Sequence, residues 1–92
     1  MTPPFQHADW HYVYVPGSIK TGGVYVGCTG NLDRRISEHT RGEVFTTKKI
    51  LPVELVYFEA YRSKQYAEQR EKSLKHHGNG LAKIKARIGR AG

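Results

Sequence analysis

Length, charge and cysteine usage limit the classes to which this chain can belong. Its 92 residues fit one domain with a small core, because so short a chain buries only about 60–65% of its unfolded surface. Fifteen Lys and Arg against eight Asp and Glu favour a polyanionic partner. With no run of about 18 apolar residues, no signal-peptide pattern and one cysteine, Cys28, we expect a cytoplasmic protein without disulfides, cysteine-based zinc site or membrane contact.

The first half of the chain predicts a β-hairpin followed by a helix. Residues 1–10 have the prolines of an irregular N-terminal tail. Residues 11–15 are β-branched and aromatic, and after a Gly-rich connection residues 24–28 repeat the pattern, so two antiparallel strands are predicted. Asn31 is a good N-cap, and a helix is expected over residues 32–40.

The second half predicts one more strand and two more helices. Residues 53–59 are apolar enough for a central or well-covered strand. Ser63 can cap a second helix that reaches about residue 76, where Gly78 is expected at a left-handed C-cap position. Apolar residues at helical spacing predict a short last helix over residues 81–88.

The second helix carries the acid Glu71 at the edge of its predicted inward face. Tyr66, Ala67 and Leu74 define that face on a helical wheel. From this position Glu71 could point into a groove, or it could pair with Lys75 one turn later. The spacing leaves both alternatives open.

The first helix and the hairpin bring together side chains suited to a phosphate. Arg35 and His39 are one helical turn apart, and Tyr14 and Tyr25 lie on the two predicted strands. A guanidinium matches the fork geometry of a phosphate and stays charged. The group of residues therefore indicates a phosphate-handling site.

Taken in order, these segments resemble the GIY-YIG nuclease domain, in particular its short standalone bacterial members. No single motif is specific, but the ordered set covers about residues 11–88, with residues 89–92 as a C-terminal tail. The first motif departs from the family in having Tyr12 where a glycine stands. The matching segments are Val13-Tyr14, Tyr25-Val26-Gly27, Arg35-x-x-x-His39 and Ala67-x-x-Arg70-Glu71-Lys72-x-Leu74-Lys75.

The resemblance implies an α/β fold with a small three-stranded, mainly antiparallel sheet flanked by helices. It also implies an endonuclease that hydrolyses phosphodiester bonds in DNA with Mg²⁺ or Mn²⁺. Tyr14 and Tyr25 would then lie at the reacting phosphate, which Arg35 would contact. His39 would assist proton transfer or hold a tyrosine, and Glu71 would bind the metal ion.

The general base is either Tyr14 or His39. A phenol with its ordinary pKa of about 10 is only about 0.1% ionised at neutral pH. Positive charge from Arg35, the metal ion or Lys20 would lower that pKa, whereas His39 titrates near the working pH without help. We favour Tyr14 as the group nearest the attacking water, with Tyr25 as a positioning residue.

Nucleic-acid binding is expected to extend beyond the site, because residues 70–92 carry seven basic side chains and one acid. The sequence does not decide whether the DNA is single-stranded, duplex or branched. It also leaves open whether RNA is bound and whether a protein partner is needed. The alternative is a non-catalytic or partner-activated binding module on the same fold. The side chains predicted to bind nucleic acid are Lys20, Thr29, Asn31, Arg34, Lys48, Arg70 and Lys75.

Overall fold

The computed structural model describes residues 10–76 and 78–89. Residues 1–9 of the predicted N-terminal tail and residues 90–92 of the predicted C-terminal tail lie outside the described residues. In chain order the elements are β1 (His11–Ser18), β2 (Gly27–Thr29), α1 (Leu32–Thr40), a 3₁₀ turn (Lys48–Ile50), β3 (Val53–Tyr61), α2 (Lys64–His76) and α3 (Gly78–Arg87).

The three strands form one antiparallel sheet in the order β2-β1-β3. The predicted α/β class, with a small antiparallel sheet flanked by helices, is confirmed. The central strand is β1, whose residues from Val13 to Ser18 are all buried. β3 is an edge strand, although its apolar run predicted a central or well-covered one, and its Phe58 is 49% exposed.

The second strand differs most from its prediction over residues 24–28. β2 has only three residues, Gly27–Thr29, and Val24 forms an isolated bridge with Gly17. The reason lies in β1, where Pro16 has no N–H to continue the ladder. The Tyr25 N–H still donates to the carbonyl of Pro16 (3.0 Å), but regular pairing begins only at Gly27.

The helices begin where the capping residues predict. Asn31 accepts a 3.1 Å hydrogen bond from the Arg34 N–H at the start of α1, and Ser63 accepts one of 3.3 Å from the Tyr66 N–H at the start of α2. The C-cap prediction for Gly78 is wrong, because this residue begins α3 and has no positive φ. None of the described helices is long and apolar enough to cross a membrane.

The small core lies between β1 and the pair α2 and α3. Val13 packs there with Ala67, Leu74 and Ile84. Because side chains alternate along a strand, the next residue of β1 points to the opposite face, toward α1. Tyr66 was predicted on the inward face but is 63% exposed, since it lies about 100° around the helix from Ala67.

Candidate active site

Tyr14 is the best-buried residue of the site, and a glycine makes room for its ring. It lies on β1 directly opposite Gly27 of β2, and its side chain is only 2% exposed. A Cβ atom at position 27 would lie 2.5 Å from the phenol oxygen of Tyr14, far inside van der Waals contact. Gly27 is therefore required by the close approach of the ring.

The phenol oxygen belongs to a continuous chain of hydrogen bonds. Arg35 Nε donates to Tyr14 Oη (3.1 Å), and His39 Nε2 lies 2.9 Å from the same oxygen. On the far side of the imidazole, His39 Nδ1 is 2.7 Å from Thr47 Oγ1. His39 and Thr47 are 3% and 0% exposed. The four side chains therefore form one fixed unit with only Arg35 well exposed.

Burial determines the protonation of this unit. Burial raises the pKa of Tyr14 by more than the hydrogen bond and charge of Arg35 lower it. The lowering expected from nearby positive charge is thus present but outweighed. Burial also lowers the pKa of His39, and the charge of Arg35 lowers it further. A protonated phenol therefore faces a neutral imidazole at neutral pH.

The partners of Tyr14 Oη favour one hydrogen-bond direction. Arg35 can only donate to this oxygen, so the acceptor for the phenol proton within the unit is His39 Nε2. We therefore assign the tautomer in which the phenol of Tyr14 donates to His39 Nε2 and the imidazole proton on Nδ1 is donated to Thr47 Oγ1. In this tautomer Tyr14 Oη is free to accept from Arg35. Thr47 thereby orients the imidazole so that its unprotonated nitrogen faces the phenol.

A cavity of about 690 Å³ opens beside this unit and contains the other predicted side chains. Tyr25 lines it from the loop before β2 and is 38% exposed. Glu71 lines it from α2. The Glu71 carboxylate raises the pKa of Tyr14, and its effect is the largest after those of burial and of Arg35. The structure thus brings Tyr14, Tyr25, Arg35, His39 and Glu71 to one cavity.

Glu71 takes both of the positions that its spacing left open. It lines the cavity, and its Oε2 also lies 3.1 Å from Nζ of Lys75. Lys75 is the member of the predicted nucleic-acid-binding set that lines the cavity. The described residues contain no group of three His, Cys, Asp or Glu side chains that could hold a metal ion. A lone, partly exposed carboxylate still fits Mg²⁺, which keeps most of its water ligands.

Comparison with known proteins identifies the family. A model of the GIY-YIG catalytic domain matches residues 10–85. The chain belongs to the GIY-YIG family. The UPF0213 protein of Natronomonas pharaonis is 46% identical over 66 residues, which are 71% of this chain and 76% of that protein. The UPF0213 protein of Clostridium perfringens is 39% identical over 66 residues, 71% of this chain and 70% of that protein.

A solved structure supports the same GIY-YIG assignment. The solution NMR structure of the UPF0213 protein from Bacillus halodurans is 34% identical, with a TM-score of 0.51. The match covers 83% of this chain and 85% of that chain. The resemblance to small GIY-YIG proteins is therefore confirmed, while the names of these relatives state no activity.

Arg70, on the helix that carries the GIY-YIG motif, was predicted to bind nucleic acid, but its guanidinium is bonded to a carboxylate of the protein. Its Nε and Nη2 donate to the two carboxylate oxygens of Glu59, both at 2.9 Å. Tyr57 and Tyr61 donate to the same carboxylate, each at 2.7 Å. Burial alone would raise the pKa of Glu59, but these three donors and the charge of Arg70 lower it to about 2. We therefore assign Arg70 to a structural network between β3 and α2.

The remaining predicted contacts lie outside the cavity of the GIY-YIG site. Thr29 Oγ1 accepts from the Asn31 N–H (3.1 Å), and Asn31 caps α1, so local structure accounts for both side chains. The Arg34 side chain is 70% exposed on α1. Lys20 is exposed on the loop that follows β1, and Lys48 is exposed at the first position of the 3₁₀ turn. All three cations are thus exposed, and Arg34 Nε lies 3.9 Å from Oε2 of Glu38.

Proposed function

We propose that this GIY-YIG protein is a divalent-metal-dependent endonuclease that hydrolyses phosphodiester bonds in DNA. The observation that carries the proposal is the meeting of Tyr14, Arg35 and Glu71 in one cavity, with a neutral His39 hydrogen-bonded to the phenol. A net charge of +7 supports a polyanionic substrate. A module that only bound nucleic acid would have no use for a carboxylate facing the phosphate.

Tyr14 and His39 share the role of general base in this proposal. Burial keeps the phenol of Tyr14 protonated, so no phenolate is present before the substrate binds. Tyr14 Oη instead takes a proton from the attacking water as its own proton passes to His39 Nε2, 2.9 Å away. The imidazole becomes an imidazolium, and its Nδ1 proton stays on the hydrogen bond to Thr47. Two groups that were alternatives in the sequence thus act in series.

Arg35 and Tyr25 orient the phosphate. The bonds to Tyr14 and Glu38 use two of the five N–H donors of the Arg35 guanidinium. The side chain is 40% exposed, so the other donors can reach a phosphate in the cavity. Tyr25, also on the cavity wall, limits where the phosphate can lie.

Glu71 is the residue that would hold Mg²⁺ or Mn²⁺. The bound ion would supply charge neutralisation at the phosphate and at the leaving oxygen. Glu71 lies beside Lys75, whose ammonium adds positive charge on the same side of the cavity. The same ion pair is the observation that favours the second candidate, a non-catalytic binding module, because Lys75 already compensates the carboxylate.

A cleavage assay on four substrates separates the two functions. The full chain is incubated with single-stranded, duplex and branched DNA and with RNA, with Mg²⁺, with Mn²⁺ and with chelator. We expect DNA cleavage only with an ion present. Glu71→Gln should abolish cleavage and leave DNA binding within a few-fold. Glu68→Gln, an exposed acid on the same helix, is the matched control and should cleave normally. Binding without cleavage under every condition would establish the binding module instead.

A further inference from the structure

Phe45 is an exposed aromatic side chain on the wall of the catalytic cavity. It lies on the loop between α1 and the 3₁₀ turn, lines the cavity, and is 71% exposed. Nothing in the proposed chemistry uses it. A single exposed apolar ring is ordinary on a protein surface; it is the place of Phe45 on the wall of the cavity that points to a contact with the substrate.

The exposure of Phe45 is fixed by the fold of its loop. Val44 before it and Thr47 after it are buried, at 8% and 0% exposed. The N–H groups of Thr47 and Lys48 both donate to the Val44 carbonyl, at 3.2 Å and 3.0 Å. This turn leaves Phe45 at its outer tip. Because Thr47 also binds His39, the ring is anchored to the same unit that holds the general base.

Two cations flank the ring. Nζ of Lys48 lies 5.0 Å from the centroid of the Phe45 ring, and Nζ of Lys49 lies 5.7 Å from it. Aromatic side chains combined with backbone-tracking cations are the means by which proteins bind unpaired nucleotides. Both ammonium groups lie over the ring. A base that stacks on the ring replaces an ammonium group over its face, and the flexible lysine side chains then contact the neighbouring phosphates.

We propose that Phe45 stacks on an unpaired base next to the phosphate in the cavity, with Lys48 and Lys49 on the adjoining backbone. In a duplex both faces of each base are covered by its neighbours, so the ring finds no partner there. The substrate class is therefore nucleic acid that is single-stranded or locally unpaired at the reacting position. This inference rests on the proposed function in one respect: the phosphate in the cavity is taken to be the one that is cleaved.

Binding without cleavage tests the stacking directly. The full chain is titrated, in the presence of chelator, with a single-stranded 2-aminopurine oligonucleotide and with the same sequence as a duplex. Stacking on Phe45 should quench the fluorescent base. Phe45→Ala should lose the quenching and weaken single-strand binding roughly five- to a hundredfold, while duplex binding changes less than twofold. Phe45→Tyr should retain both properties.

Two further variants test the nature of the contact. Phe45→Leu keeps apolar bulk without an aromatic face and should behave like Phe45→Ala. Ile19→Ala removes another exposed apolar side chain, 60% exposed and outside the cavity lining, and should bind like the unmodified protein. Circular dichroism and thermal unfolding check that each variant is folded. If Phe45→Ala does not fold, Phe45→Leu takes its place in the test.

The outcomes for stacking and for nuclease activity are distinguishable. Unchanged quenching and affinity in Phe45→Ala would overturn the stacking, whether or not the protein cleaves DNA. Equal losses on single strand and duplex would overturn the assignment to unpaired bases. Selective loss in a protein that cleaves no substrate would uphold the stacking and refute the nuclease.

Discussion

Gly27→Ala is the substitution that most directly tests how the site is held. The added Cβ would lie 2.5 Å from Oη and 2.6 Å from Cε1 of Tyr14. Ordinary contact begins at about 3.5 Å, so the ring must move by roughly 1 Å. Such a shift breaks or distorts the bonds of 2.9 Å from the phenol oxygen to His39 and 3.1 Å to Arg35.

The size of the effect follows from those two hydrogen bonds. A neutral bond contributes about 1 kcal/mol and one to a charged group about 1.5–3 kcal/mol. The free energy of unfolding of Gly27→Ala should therefore fall by about 2–4 kcal/mol. For a chain of this size each kcal/mol lowers Tm by about 4–8 °C, which circular dichroism resolves easily. Turnover should fall about a hundredfold, since a displacement of about 1 Å costs that much in catalysis.

Gly30→Ala is the matched control. A Cβ there would meet only His11 Nδ1 at 3.8 Å, an ordinary contact, and neither glycine has a positive φ. We expect Gly30→Ala to change stability by less than about 0.5 kcal/mol. If Gly27→Ala unfolded at the same temperature as Gly30→Ala and cleaved DNA at the rate of the unmodified protein, Gly27 would not be the residue that positions Tyr14.

The other predictions concern the two networks around the site. Thr47→Val keeps the shape of the side chain but removes the acceptor for the Nδ1 proton of His39. Cleavage should slow about 10–100-fold with DNA affinity unchanged, and an unaltered rate would show that Thr47 does not orient the imidazole for the reaction. Glu59 has a folded pKa of about 2 against an ordinary 4.5, so its pairing with Arg70 stabilises the fold above pH 4.5 and the contribution is lost as pH falls toward 2. The shift corresponds to about 3 kcal/mol, which we reduce to about 2 kcal/mol for solvent screening because the Arg70 side chain is 34% exposed. In urea unfolding, Glu59→Gln should be less stable than the unmodified protein by this amount at pH 7, and the gap should close with acid; a gap independent of pH would contradict the assignment.

Local rules predicted the parts of the site that lie within one element. Arg35 and His39 are placed together by helical spacing, and Asn31 begins their helix by a capping bond that needs no tertiary contact. The edge position of Glu71 on α2 likewise follows from the helical wheel. These features depend on neighbours within a few residues, so one sequence was enough to find them.

Features that depend on distant contacts were not predictable in the same way. Thr47 is not among the predicted site residues, yet it is buried against His39. The spacing around Arg70 does not show that Glu59, eleven residues earlier on another element, will bind it. The pKa of Tyr14 was expected to follow the charge of Arg35, but burial, which is a property of the whole fold, has the larger effect.

The glycine opposite Tyr14 explains how side chains from two layers can form one site. Tyr14 lies on the α1 face of β1, whereas Glu71 belongs to α2, which packs on the opposite face with Val13. Side chains from two faces of a sheet can meet only around its edge. Residues 24–26 still follow β1 through the Val24–Gly17 bridge and the bond from the Tyr25 N–H to Pro16, but the residue directly opposite Tyr14 is Gly27, which has no side chain. The phenol therefore reaches over the glycine to the edge, where the carboxylate from the other layer lines the same cavity.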